Sequence, residues 1–217
     1  MFILRSEQVI APTKQADFAL YQARSVAVAK EQPGFLWDLR LTYLGNYDRR
    51  LIYQAWETRA HRQAYSRGED WIRAPEGLLV GPALSEFYEV VTEVSDRPPD
   101  VGHYVLDRHF RISNGRQEEF EALETGLCEL AKGRTGFVSR SSFKFLGNDT
   151  SYVRLSVWQS WEALDQWVRT PEYAVENDAI LSRVVWTTAD RYAIVSAVAG
   201  RDRKEGAVQR SAETVTA

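Results

Sequence analysis

Residues 33–65 read PGFLWDLRLTYLGNYDRRLIYQAWETRAHRQAY, and residues 135–167 read TGFVSRSSFKFLGNDTSYVRLSVWQSWEALDQW. Gly34 aligns with Gly136, Leu44-Gly45-Asn46 with Leu146-Gly147-Asn148, and Trp56 with Trp158, all at a constant offset of 102 residues and without a gap. An internal repeat of this length makes each half a folding unit in its own right, so the halves are read against each other.

Around the first copy, Phe2 to Ile10 has strand spacing and ends at Ala11-Pro12-Thr13. A helix opening at Pro12 or Thr13 places Ala16, Ala19, Leu20, Ala23, Val26 and Ala27 on its apolar stripe. Pro33-Gly34 stops it, since proline cannot continue a helix and glycine supplies a left-handed turn. Phe35 to Tyr43 and Leu51 to Trp56 form a hairpin around Leu44-Gly45-Asn46, a second helix starts at Glu57, and Phe87 to Val94 is the last strand. The second copy repeats the order: Tyr104 to Ile112, a helix from Ser113 to Lys132 with Phe120, Leu123, Leu127 and Leu130 on its stripe, a hairpin from Phe137 to Trp158, a helix from Glu162, and Arg191 to Val198.

Each unit is βαββαβ, a ferredoxin-like plait with both helices on one sheet face, so the class is α+β. The bare sheet faces must be covered, and two tandem plaits packed sheet to sheet give an intramolecular α/β barrel with a cavity between the sheets. The expected organisation is domain one at residues 1–95, a proline-stiffened linker at 96–101, domain two at 102–199, and a charged, non-periodic tail at 200–217 read as disordered.

The 217 residues are 44% hydrophobic and 26% charged with a net charge of −3, which suits a globular chain and gives no electrostatic reason for nucleic acid or an anionic membrane as a partner. No window approaches a membrane span and the first residues run straight into charge, so the expected location is the cytoplasm. One cysteine, Cys128, excludes an internal disulfide and reads as a buried hydrophobe. Three scattered histidines give no metal site, and neither a phosphate-binding glycine loop nor G-x-S-x-G occurs.

The PGF turn, the hairpin strand ending in tryptophan and the W-x-S-x-E-A-L of Trp158 to Leu164 resemble the antibiotic biosynthesis monooxygenase family, in two tandem copies. The resemblance implies a dimeric α/β-barrel fold. It leaves the chemistry open among cofactor-independent oxygenases of aromatic polyketides, quinol monooxygenases, haem-degrading monooxygenases and isomerases. The haem-degrading relatives carry an asparagine on strand one. Arg5-Ser6-Glu7-Gln8 and Asp107-Arg108-His109-Phe110 have none, which argues against haem.

Along the tryptophan-bearing strands, Leu51, Tyr53 and Ala55 alternate with Ile52, Gln54 and Trp56, and Val153, Leu155 and Val157 with Arg154, Ser156 and Trp158. The uniformly apolar sets are expected to face the helices and the mixed sets the barrel cavity. Trp56, Gln54, Trp158 and Ser156 then line a pocket suited to a small apolar or aromatic molecule, with Tyr88 and Tyr192 as hydrogen-bond partners. Candidate catalytic groups are His61, His109 and Arg154, with Arg40 and Arg140 as further cavity-facing arginines; a guanidinium there holds an enolate or phenolate. The function expected is a cofactor-independent monooxygenase of an electron-rich aromatic, of the anthrone or hydroquinone class, using no cofactor and no metal. A non-catalytic metabolite-binding barrel and an isomerase are the alternatives, and a homo-oligomer of the pseudo-dimer stays open.

Overall fold

The computed structural model describes residues 1–200, apart from the side chain of Glu176; the expected tail at 201–217 lies outside the described residues. The first half runs β1 (Phe2–Val9), α1 (Gln15–Ala29), β2 (Phe35–Tyr43), β3 (Arg49–Trp56), α2 (Arg59–Arg67) and β4 (Leu84–Ser95). The second runs β5 (Tyr104–Ile112), α3 (Gln117–Ala131), β6 (Phe137–Phe145), β7 (Ser151–Trp158), α4 (Trp161–Val168), α5 (Pro171–Leu181) and β8 (Val184–Ala199). No helix among the described residues is long and apolar enough to cross a membrane.

Each half has the plait order, β4-β1-β3-β2 and β8-β5-β7-β6, with antiparallel neighbours. The two sheets do not merely face one another. β2 pairs with β8 and β4 with β6, so the eight strands close into one barrel. β4 and β8 are longer than their sequence patterns suggest because each is bonded both to its own plait and to the other.

Two corrections follow from the closure. The barrel interior is packed with side chains and is no cavity: Ile3, Leu39, Leu41, Leu51, Tyr53, Ala55, Val105, Phe143, Val153, Leu155, Val157 and Ile194 form one core, as expected of a barrel of about eight strands. The facing of the tryptophan strands is also the reverse of the sequence expectation. The uniformly apolar sets point into this dry core, while Trp56 and Trp158 lie outside it, under the helices, with Tyr65 and with Leu164 and Trp167 respectively.

The repeated turn is explained by close approach. Gly34 has φ +74°, and a Cβ there would lie 2.0 Å from His61 Nδ1; Gly136 has φ +77°, and its Cβ would lie 2.4 Å from that of Ala163. The carbonyls of both glycines accept from the strand ends, Glu57 N to Gly34 O and Gln159 N to Gly136 O, each at 2.8 Å. Thr58 and Ser160 are the N-caps of α2 and α4, accepting from His61 N and Ala163 N at 3.2 Å. The S of W-x-S-x-E-A-L is thus a helix cap. Gly34→Ala is expected to cost roughly 1–3 kcal/mol from the backbone conformation, plus the clash. Adding His61→Ala should return only the part of the clash made by the imidazole ring, since the Cβ of residue 61 still lies 2.8 Å from the added methyl, measurable by urea unfolding of the single and double variants.

On the axis relating the halves, Arg5 and Asp107 occupy equivalent positions and bond across the barrel, Nη2 to Oδ2 at 3.0 Å. Tyr53 Oη donates to Asp107 Oδ1 at 2.9 Å, and Arg5 Nη1 reaches Glu86 Oε2 at 3.3 Å. Two copies in one chain permit opposite charges where a symmetric pair would face like with like. Burial alone would raise the Asp107 carboxyl, but Arg5 and His109 hold it down, to about 2. Its folded value lies below the unfolded 3.8, so its stabilisation, about 2 kcal/mol, is present above pH ~4 and lost as pH falls through about 2. Asp107→Asn should therefore be less stable than wild type at pH 7, by denaturant titration, and the gap should narrow as pH approaches 2.

Candidate functional site

A cavity lies between sheet and helices in the first half. Helix α1 buries Phe18, Gln22, Ser25 and Ala29. The expected stripe faces outward, Leu20 being 67% exposed. Helix α3 buries Phe120 and Leu127 of the expected stripe, with Leu123 partly buried against the same core and Leu130 exposed, and adds Glu124, Cys128 and Ala131. Four of the positions correspond across the repeat, and Gln22 and Ser25 stand where the second half has Glu124 and Leu127.

Above α3 the second half adds α5, and Phe110, Phe120, Tyr152, Trp158, Leu164, Trp167 and Ile180 fill the layer. The first half has no counterpart of α5. An irregular segment at 68–83 covers the sheet instead, and a cavity of about 680 Å³ remains beneath it. Its floor is the outer face of β1 to β3, with Leu4, Ser6, Gln8, Arg40, Ile52 and Gln54; Tyr21 and Ser25 of α1, Arg62 of α2 and Trp71 wall it.

The polar groups are buried and specifically held. Asp38, fully buried, accepts from Arg40 Nε at 2.8 Å and Nη2 at 3.2 Å, and from Gln54 Nε2 at 2.9 Å. This fork holds the guanidinium and leaves Arg40 Nη1 without a partner among the described residues; Gln8 Oε1 and Arg62 Nε are likewise unpartnered. Each belongs to a residue no more than 8% exposed. Orphaned buried donors and acceptors are costly, and those of Gln8, Arg40 and Arg62 belong to residues lining one cavity, which makes it the candidate ligand site. Burial lowers the proton affinity of Arg62, whose guanidinium lies 4.7 Å from the Trp71 ring centroid.

The residues singled out from sequence are dispersed. Gln54 lines this cavity together with Arg40. His109 and Tyr88 line a second one, about 550 Å³, at the barrel mouth, where His109 Nε2 lies 3.4 Å from Asp107 Oδ2 and Tyr88 Oη donates to Glu86 Oε2 at 2.9 Å. Tyr192 is inside the barrel beside Tyr43, its hydroxyl unpartnered among the described residues. Arg154 is bound by both carboxylate oxygens of Glu124, with Nε at 2.7 Å from Oε2, and lies over the Phe110 ring. Ser156 is buried in the second half, as is Arg140, whose Nη1 is 3.5 Å from Leu127 O. His61 packs on Gly34 with Nδ1 3.4 Å from Glu57. Trp56 stacks on Tyr65 and Trp158 on Trp167, with both indole nitrogens unpartnered among the described residues. Burial raises the Cys128 thiol to about 11, so it is no thiolate at neutral pH.

Sequence reasoning missed Asp38, Gln8, Gln22, Ser25 and Arg62. The repeat held the signal: at the common offset Gln8 stands against Phe110, Ser25 against Leu127 and Arg62 against Leu164, three polar side chains where the second half has apolar ones.

Residues 103–175 match the antibiotic biosynthesis monooxygenase family. No curated protein matches the sequence. Among solved structures, a candidate monooxygenase from Lactobacillus acidophilus superposes with TM-score 0.75 at 11% identity, over 91% of this chain and 96% of that one. An anthrone oxidase-like protein gives TM-score 0.68 at 12% identity over 95% and 96%. A heme-degrading enzyme from Listeria monocytogenes gives 0.55 at 14% over 89% and 99%. At these identities the likeness is one of fold.

Proposed function

We propose that this chain, which carries an antibiotic biosynthesis monooxygenase domain at residues 103–175, oxygenates an electron-rich aromatic of the anthrone or hydroquinone class without a cofactor, in the cavity of its first half. The observation that carries this reading is Arg40: a buried guanidinium clamped by Asp38, with one free N–H group, in the floor of a largely apolar cavity. The fold similarity to an anthrone oxidase-like protein supports it.

The residues account for the chemistry as follows. An anthrone ionises at its methylene carbon, and the charge moves onto the ring oxygen. A preorganised donor at that oxygen, worth most in a water-poor cavity, lowers the cost of the anion. The proton leaves to water at the rim, where Glu76 lies. The anion then gives an electron to dioxygen, and the radical pair joins at carbon as a peroxide anion, which takes a proton back from water to become the hydroperoxide. Loss of water yields the quinone, so one oxygen atom enters the product and one leaves as water. Apolar walls such as Leu4, Ile52 and Trp71 hold the ring and keep water from the intermediates. Haem does not fit this cavity: no histidine lines it, and His61 is engaged against Gly34 and Glu57.

The test is oxygen uptake with 1,8-dihydroxyanthrone. Uptake should exceed spontaneous oxidation in proportion to protein, at one dioxygen per quinone, and quinone formation should stop under argon. Uptake equal to the protein-free rate contradicts the proposal, and binding without uptake identifies a binding barrel instead.

A further inference from the structure

We infer that Arg62 makes the first cavity selective for anionic ligands, binding the ionised form of a phenol or enol in preference to its neutral form. This rests on the reading of that cavity as the ligand site and adds to it which protonation state the cavity holds more tightly. Arg62 is 8% exposed, and its equivalent in the second half, Leu164, is also 8% exposed. The same depth of burial therefore takes an apolar side chain in one half and a cation in the other.

Within the cavity wall the charge of Arg62 is not neutralised as that of Arg40 is. Arg40 has Asp38 on its Nε and Nη2 edge. Arg62 faces the rings of Tyr65, at 5.7 Å, and Trp71, at 4.7 Å, and its Nε has no partner among the described residues. A buried cation without a counter-ion is costly, and ring faces offset only a part of that cost. The second half shows the alternative. There the buried Arg154 receives a carboxylate from the helix, Glu124, and the corresponding helix position in the first half is the neutral Gln22, its Nε2 unpartnered. The first half thus commits its buried carboxylate, Asp38, to Arg40 and Gln54, and leaves Arg62 in the cavity wall without a carboxylate bonded to it among the described residues. Arg40 and Arg62 both line that space, so an ionised oxygen there answers the charge.

The probe is 1,2-dihydroxyanthraquinone, a product-like ring system whose phenolate is distinguished from the phenol by its visible absorption and which does not consume oxygen. Bound to the wild-type chain, its apparent pKa should fall by at least about one unit, a roughly tenfold or greater preference for the anion. Arg62→Leu should remove most of that shift, leaving only the part due to Arg40, and raise the melting temperature, because the second half tolerates leucine at this depth. Arg62→Lys should keep more of the shift, and Arg62→Gln, offered in case the leucine variant does not fold, should lose as much as Arg62→Leu. The neutral 1,2-dimethoxyanthraquinone should bind wild type and Arg62→Leu within about threefold. A wild-type pKa shift retained in Arg62→Leu or Arg62→Gln overturns the inference while leaving the cavity reading intact. Failure of wild type to bind either probe overturns both. Oxygen uptake without a pKa shift overturns the inference alone.

Discussion

Arg40→Met is expected to lower kcat/KM for oxygen uptake with 1,8-dihydroxyanthrone by roughly 10²–10³-fold, the usual effect of removing one preorganised donor to a developing oxyanion. The single variant will also be less stable, because it strands the fully buried Asp38; breaking a buried ion pair from one side costs roughly 3–5 kcal/mol. Loss of activity alone would therefore not distinguish chemistry from unfolding. The pair Asp38→Asn with Arg40→Met removes both charges and leaves the introduced amide able to bond Gln54. Its stability should return to within about 1–2 kcal/mol of wild type, while kcat/KM stays low. Denaturant unfolding and oxygen uptake on wild type, the single and the double variant measure both quantities. A double variant with wild-type kcat/KM would show that the guanidinium only supports the sheet.

The second large effect falls in the other half and has the opposite functional outcome. Glu124→Leu leaves Arg154 buried at 1% side-chain exposure with no counter-ion, so stability should fall by roughly 3–5 kcal/mol. Adding Arg154→Met should recover most of it, less the contribution of the guanidinium stacked over Phe110. Oxygen uptake by the double variant should match wild type, since α5 and the aromatic cluster fill the second layer. Activity lost with stability restored would place the working site in the second half, where the family match lies.

What the sequence made legible was what local chemistry fixes. The repeat, the plait order, the hairpins and the glycine turn at Gly34 and Gly136 follow from strand alternation and from a positive φ that only glycine adopts without strain. The direction of each strand face was not legible, because both faces are buried: one in the barrel, the other under helices. Alternation then separates two sets without saying which is inside. Uniform apolarity of Leu51, Tyr53 and Ala55 marked the dry interior, and the polar members of the other set marked the layer that holds the cavity. Helix α1 misled for a related reason. Its buried face carries Gln22 and Ser25, so the alanine-rich outer face looked like the core stripe. Projection of α3 onto α1 through the repeat would have corrected it, since Phe18 and Ala29 match Phe120 and Ala131. The 68–83 segment has no period to read, yet it supplies Trp71 and much of the cavity's wall.

The most direct test of the account is a crystal structure of the chain with 1,2-dihydroxyanthraquinone. The ring should lie between α1 and the outer face of β1 to β3, with an ionised oxygen within hydrogen-bond distance of Arg40 Nη1 or Arg62 Nε. A ring seated at the barrel mouth against His109 and Tyr88, or in the second half beneath α5, would contradict it.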